Sequence, residues 1–76
     1  MSVVVVHFSD FWLLPLARDV VRKAISCGDY GLAEDEITRL ACRKLGDPTV
    51  SRARDRTVNR LERELQAARS HDGGAA

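Results

Sequence analysis

The sequence holds few of the residues that mark specialised small proteins. It has two cysteines, two prolines and 5% aromatic residues in 76 positions, and its formal net charge is only +1. Two cysteines cannot form the disulfide framework of a small secreted domain, and their spacing is not that of a Cys-x-x-Cys redox site. We expect Cys27 and Cys42 to be reduced and largely buried, with a bridge between them as an open alternative. The net charge alone indicates no partner.

Long apolar runs are also missing. No stretch reaches the roughly 18 apolar residues of a membrane span. The apolar N-terminal segment has no Lys or Arg before it, and His7 and Asp10 interrupt it, so it does not resemble a secretory signal. We expect a cytoplasmic protein that does not contact membranes.

Residues with catalytic or metal-binding chemistry are sparse. The His and Cys positions (7, 27, 42 and 71) lack zinc-like spacing, glycine-rich phosphate loops are absent, and no aspartate is placed with a His or Ser as in a catalytic set. The sequence therefore predicts no enzyme, no metal, no cofactor and no small-molecule substrate.

Residues 2–8 form a valine-rich segment that predicts a short strand or extended arm. Four consecutive valines, rather than an alternating pattern, indicate burial on both sides or pairing with another chain. A strand needs a second strand to be stable, and none is evident elsewhere in the sequence. Because the chain is also near the lower size limit for a self-sufficient core, we expect a homodimer or a protein partner.

Two amphipathic segments follow the arm. Pro15 suits the first turn of a helix over about residues 15–27, and the acids at 34–36 suit the start of a helix over about residues 33–45. The expected buried residues are Leu16, Ala17, Val20, Val21, Ala24 and Cys27 in the first helix, and Ile37, Leu40, Ala41 and Leu45 in the second.

A third helix has the clearest start in the chain. Gly46 is expected to end the second helix in a left-handed conformation, and Asp47-Pro48 then provide the N-cap and first residue of a helix over residues 48–69. Residues 70–76 are polar and glycine-rich, which predicts a disordered tail. The expected fold is mostly α: a single three-helix, helix-turn-helix-like domain over residues 1–69 with a short N-terminal strand or extended arm.

The third helix has two chemically opposite faces. The apolar face consists of Val50, Ala53, Val58, Leu61, Leu65 and Ala68. The other face carries Arg52, Arg56, Asn59, Arg63 and Gln66, with Arg60 at its edge. Residues 48–69 hold six arginines against three acids, whereas residues 1–47 hold six basic residues against seven acids. This concentration of positive charge predicts a nucleic-acid contact.

Short motifs in this region resemble those of helix-turn-helix proteins. TVSR at residues 49–52 and TVNRL at residues 57–61 look like the openings of recognition helices, and RTVNRLEREL at residues 56–65 is similar to those of bacterial winged-helix regulators. The resemblance covers about residues 36–68, and Arg52 falls where the family usually has an apolar residue. It implies a DNA-binding transcriptional regulator whose third helix enters the major groove.

That resemblance implies roles for seven residues. Arginines reach guanine edges and phosphates, and asparagine can pair with adenine. The implied contacts on the third helix are Arg52, Arg56, Asn59, Arg60 and Arg63. Arg43 and Lys44, at the end of the supporting helix, are expected to touch phosphates.

A second resemblance points to ribbon-helix-helix antitoxins and repressors. Its elements are the valine-rich segment, a helix, the Cys-Gly-Asp-Tyr-Gly turn at residues 27–31 and a further helix. It implies a dimer that forms through the strand and reads DNA with the outward polar side chains of that strand.

Two readings that do not involve DNA stay open. The arginine face could be an ordinary solvated surface with pairs such as Arg60–Glu64. Alternatively, the chain could be an inhibitor, antitoxin or adaptor that docks on a larger protein through its apolar N-terminal segment. The spacing of residues 58, 61, 65 and 68 also resembles a coiled-coil seam for a homodimer. The residues expected at a partner or dimer interface are Val4, Val6, Phe8, Phe11, Trp12, Leu61 and Leu65.

Overall fold

The described part of the chain folds into three helices. A computed structural model describes the backbone of residues 2–75 and the side chains of residues 12–71. Within that part there are α1 (Ser2–Cys27), α2 (Tyr30–Cys42) and α3 (Pro48–Ala75), and no strand. The prediction of a mostly helical fold is confirmed.

α1 begins far earlier than the sequence indicated. Residues 2–8, predicted as a strand or extended arm, are helical, and Pro15 lies inside α1 rather than in its first turn. Both predictions are wrong. Because the described chain offers no strand to pair with, helical hydrogen bonds satisfy the backbone of this segment. Pro15 lacks the N–H that would bond to the carbonyl of Phe11, so it costs α1 one hydrogen bond without ending it.

The turn between α1 and α2 consists of Gly28 and Asp29. Gly28 has a left-handed backbone (φ 79°), which glycine adopts without a Cβ clash. The Asp29 carboxylate accepts a hydrogen bond from the Leu32 N–H (3.1 Å) and caps α2. This cap starts α2 at Tyr30, before the predicted start at residue 33.

α2 ends at Cys42, earlier than the predicted end at residue 45. Arg43 adopts extended backbone (φ −74°, ψ 127°), and residues 43–47 connect α2 to α3. The prediction that Gly46 is a left-handed cap is wrong, since Gly28 is the one residue with positive φ in the described backbone.

The predicted start of α3 is confirmed. The Asp47 carboxylate accepts a hydrogen bond from the Thr49 N–H (2.8 Å), and Pro48 is the first helical residue. The predicted end at residue 69 is wrong, because α3 continues to Ala75 through a segment expected to be a disordered tail. That segment contains no proline, and each glycine costs a helix only about 1 kcal/mol.

The three helices pack lengthwise in an up-down-up order. Near the start of α2, Glu34 pairs with Arg69 of α3, and just past its end the Arg43 carbonyl accepts a hydrogen bond from Arg54 of α3. α2 and α3 are therefore antiparallel, and the short turn before α2 makes α1 parallel to α3. The Cα trace measures 54 × 19 × 15 Å. Since α1 and α3 are only about 39 and 42 Å long, they are offset along their axes.

This packing does not confirm the helix-turn-helix part of the prediction. In that motif two helices cross at about 90–120° after a turn of three or four residues. Here a connection of residues 43–47 joins α2 to α3, and both ends of α2 contact α3. The motif predicts a crossing, whereas the chain forms an antiparallel hairpin.

The core is a narrow stripe shared by the three helices. Its buried residues are Ala17, Val21, Ala24, Ala33, Ile37, Leu40, Val58, Leu61 and Leu65. Alanines on α1 and α2 let these helices approach closely. Leu13, Leu14, Ile25 and Tyr30 pack against the stripe and are partly buried.

Several residues expected in the core lie outside it. Leu16, Val20, Cys27 and Ala41 are exposed, and Leu45, Val50, Ala53 and Ala68 are only partly buried. Cys42 is exposed as well, so the expected burial of the two free cysteines is wrong. The predicted stripes were too wide because α2 is about half as long as α1 and α3 and covers only part of their apolar faces.

Leucine burial provides a direct test of this core. Leu61 is 1% exposed, whereas Leu16 on α1 is 61% exposed. We expect Leu61→Ala to lower the free energy of unfolding by about 3 kcal/mol because it leaves a cavity, and Leu16→Ala to change it by less than about 0.5 kcal/mol. Urea unfolding followed by circular dichroism measures both values. Equal losses in the two variants would contradict the arrangement of α1.

Candidate nucleic-acid interface

The arginines of the helices fall into two groups according to their partners. The first group pairs with carboxylates: Arg22 with Glu64 (3.9 Å), Arg39 with Glu36 (3.7 Å), Arg54 with Asp55 (2.8 Å) and Arg69 with Glu34 (2.7 Å). The second group has no carboxylate partner among the described residues and consists of Arg18, Arg52, Arg56, Arg60 and Arg63.

Arg54 holds the connection between α2 and α3. Its side chain is only 16% exposed. Its Nη1 donates to the carbonyl of Arg43, while its Nε and Nη2 donate to the carboxylate of Asp55. Because all three nitrogens of the Arg54 guanidinium group donate hydrogen bonds within the protein, this group stabilises the fold and is not available to a ligand.

Arg69 fastens α3 to the first turn of α2. Its Nη2 donates to Glu34 (2.7 Å), and its guanidinium carbon lies 6.0 Å from the centroid of the Tyr30 ring, at the outer limit of a cation–π contact. Arg69 is therefore also a structural residue.

All seven residues predicted to contact nucleic acid are exposed. Arg43 and Lys44 lie in the connection between α2 and α3, and Asn59 lies on the outer side of α3. The remaining four define the arginine row of α3: Arg52, Arg56, Arg60 and Arg63. From helical geometry the row extends about 16 Å along the axis and lies within an arc of about 80°.

α1 adds two arginines that were not among the residues predicted at the interface. Arg18 and Arg22 line a groove of about 350 Å³ together with Arg56 and Arg60 of α3. We call this the arginine groove; its other lining residues are Ala53, Thr57 and Leu61. Each helix contributes two arginines at i, i+4, which places both on one helical face. That shared spacing is the one signal in the sequence that could have indicated Arg18 and Arg22.

No carboxylate of the described residues forms an ion pair with the arginine row. Glu64 is at i+4 from Arg60, but it pairs with Arg22 instead. The Arg60–Glu64 pair of the solvated-surface alternative is therefore not formed. Glu34 and Glu36 of α2 pair with arginines outside the row.

The arginine groove offers positive charge and hydrogen-bond donors. The Thr57 hydroxyl donates to the Ala53 carbonyl (2.8 Å), so the guanidinium groups are the donors left for a ligand. Guanidinium groups stay charged at physiological pH and bind phosphate oxygens in a bidentate manner. Among the described residues, no three His, Cys, Asp or Glu side chains are placed to hold a metal ion. The groove is suited to holding an anion.

The residues predicted at a partner interface differ in their exposure to solvent. Leu61 and Leu65 lie in the core of a single chain, so neither can contact a partner, and that assignment is wrong. Trp12 is 58% exposed. The side chains of Val4, Val6, Phe8 and Phe11 lie outside the described residues.

Comparison with known proteins does not assign the chain to a family. No family model matches it, and no curated protein or solved structure is significantly similar to it. The helix-turn-helix and ribbon-helix-helix resemblances therefore stay predictions. No helix in the described part of the chain is long and apolar enough to cross a membrane.

Replacing an arginine by glutamine should affect the free energy of unfolding differently in the two groups. We expect Arg54→Gln to lower the free energy of unfolding by about 1–2 kcal/mol, because it removes charged hydrogen bonds at a mostly buried site. Arg56→Gln should leave stability unchanged or raise it by a few tenths of a kcal/mol, since Arg52 and Arg60 are like charges at i±4. Urea unfolding of both variants tests this, and a larger loss for Arg56→Gln would reverse the assignment.

Proposed function

We propose that this protein binds duplex DNA through the arginine row and the arginine groove. The observation that carries the proposal is the difference between the two groups of arginines. Those that fasten the helices or the connection have carboxylate partners, whereas the row has none among the described residues. Positive charge gathered on one surface without internal partners favours a polyanionic ligand.

Keeping these arginines together is unfavourable without an anion. Arg18–Arg22, Arg52–Arg56 and Arg56–Arg60 are like-charge pairs at i, i+4, and each destabilises its helix by about 0.2–0.5 kcal/mol. A phosphate in the groove would relieve this repulsion and accept hydrogen bonds from α1 and α3 together. Arginines of two helices can therefore bind the same phosphate of the DNA backbone.

Base reading would come from the outer side of α3. Asn59 and Gln66 line a shallow depression with Arg63 and Glu62. Amide side chains can pair with adenine in the major groove, whereas arginine contacts to phosphate position the protein without reading sequence. We propose a small DNA-binding regulator of transcription that is positioned by its arginines and reads bases through these amides.

The salt dependence of binding tests the proposal. We expect the wild-type chain to bind a short labelled DNA duplex in fluorescence anisotropy, with an affinity that falls steeply as salt increases. The double variant Arg56→Gln/Arg60→Gln should lose about tenfold or more in affinity at about 50 mM salt, and its log–log salt slope should be smaller by about 1.8, because two phosphate contacts are lost.

The matched control is Lys23→Gln/Arg39→Gln. It removes the same total charge from exposed positions outside the groove. We expect its salt slope to stay within a few tenths of the wild-type value. Absence of binding at low salt, or equal losses in the two double variants, would refute the proposed interface.

A different surface favours a second candidate function, that of a protein-binding module. Trp12, Leu16 and Val20 are spaced at i, i+4, i+8 on α1 and are exposed, the first two by more than half. We call these residues the apolar stripe. Contiguous exposed apolar residues mark protein contacts more often than DNA contacts. The partner that the chain itself can supply is a second copy.

Sedimentation equilibrium tests self-association through the apolar stripe. We expect the wild-type mass to rise toward that of two chains with concentration, and Leu16→Glu to stay at the mass of one chain, because a charge in an apolar contact is costly. Thr38→Glu on α2 adds the same charge at an exposed site outside the stripe and should behave like the wild type. A wild-type chain that remains a monomer at every concentration would exclude the homodimer.

A further inference from the structure

Glu64 occupies an unusual position for a surface acid. Its Oε1 lies 3.9 Å from Nη2 of Arg22, close enough for an ion pair but too far for a hydrogen bond. Its other carboxylate oxygen, Oε2, is buried and has no hydrogen-bond partner in the described structure. Glu64 thus holds an arginine of the groove weakly and leaves one charged oxygen unsatisfied.

The pair lies at the arginine groove. Arg22 is the one arginine of the groove with a carboxylate partner in the described structure. Glu64 follows Arg60 by one helical turn, so its negative charge also lowers the positive potential beside that residue. The side chains of Arg22 and Glu64 are 54% and 39% exposed, and an ion pair that reaches solvent to this extent contributes little to folding.

We infer that Glu64 is an internal competitor of the DNA phosphate for Arg22 and thereby limits the affinity of the arginine groove. This inference rests on the proposed DNA-binding function. In the free protein the Glu64 carboxylate is the anion beside Arg22. On binding, a phosphate that can accept two hydrogen bonds replaces this long contact, and Arg22 turns from α3 toward the ligand. Glu64 acts by positioning Arg22 and does not itself contact DNA.

Two substitutions separate this role from a general effect of charge. Glu64→Gln and Asp35→Asn each remove one negative charge, but Asp35 is an exposed residue of α2 that lines neither the arginine groove nor the depression beside Asn59. In the anisotropy assay at about 50 mM salt, we expect Glu64→Gln to bind duplex DNA about fivefold more tightly than the wild type. Asp35→Asn should change the affinity by less than about twofold.

A double-mutant cycle tests whether the gain in DNA affinity depends on Arg22. In an Arg22→Gln background, Glu64→Gln should give no more than the gain seen for Asp35→Asn, because Arg22 is no longer present to be released. Thermal unfolding should show that Glu64→Gln keeps the wild-type midpoint or raises it, since the buried oxygen no longer carries charge. A purely structural ion pair would instead lower the midpoint and leave the affinity unchanged.

The outcomes distinguish this inference from the proposed function. Wild-type binding with equal gains for Glu64→Gln and Asp35→Asn, or a gain that persists without Arg22, overturns the role of Glu64 and leaves DNA binding in place. If the wild-type chain binds no duplex at low salt, the proposed function fails and the competitor role fails with it.

Discussion

The constraint on which the rest of the structure depends is the burial of one narrow core between three helices of unequal length. Val21 of α1 and Leu61 of α3 are the largest fully buried side chains in the described part of the chain. Neighbouring residues on a helix point about 100° apart. Burying Val21 therefore places Arg22 at the rim of the core, and burying Leu61 does the same for Arg60. The packing that stabilises the fold also brings arginines of two helices to one groove.

Two acids with an arginine partner help to hold the fold together. Arg54 and Arg69 take the carboxylates of Asp55 and Glu34 while fixing α3 to the connection and to α2. The arginine row is left without such partners among the described residues. A formal net charge of +1 therefore does not reveal that four arginines without a carboxylate partner among the described residues share one face of α3. Because this division of charge depends on which residues meet in three dimensions, the total charge carries little information about it.

The structural features predicted best from the sequence are those that depend on neighbouring residues alone. The start of α3 depends on Asp47 and Pro48 alone, and both act as expected. The strand at residues 2–8 was wrong because the preference of valine for strands is weak and depends on a partner strand. The start of α2 was misplaced by three residues because Asp29 caps the helix ahead of the acids at 34–36. The outer arginines of α3 follow from helical periodicity, but Arg18 and Arg22 join them only through the packing of α1, which their i, i+4 spacing alone does not specify.

The apolar stripe and the arginines of the groove lie on different faces of α1, so the two candidate functions do not exclude each other. Residues two apart on a helix point about 200° apart, so Leu16 and Arg18 face nearly opposite directions, as do Val20 and Arg22. α3 lies on the side of Arg18 and Arg22, which leaves the apolar stripe directed away from the arginine groove. Contact between two copies through the stripe would therefore leave both arginine grooves open. DNA could then be held by two grooves at once, and the second contact would form at a raised effective concentration.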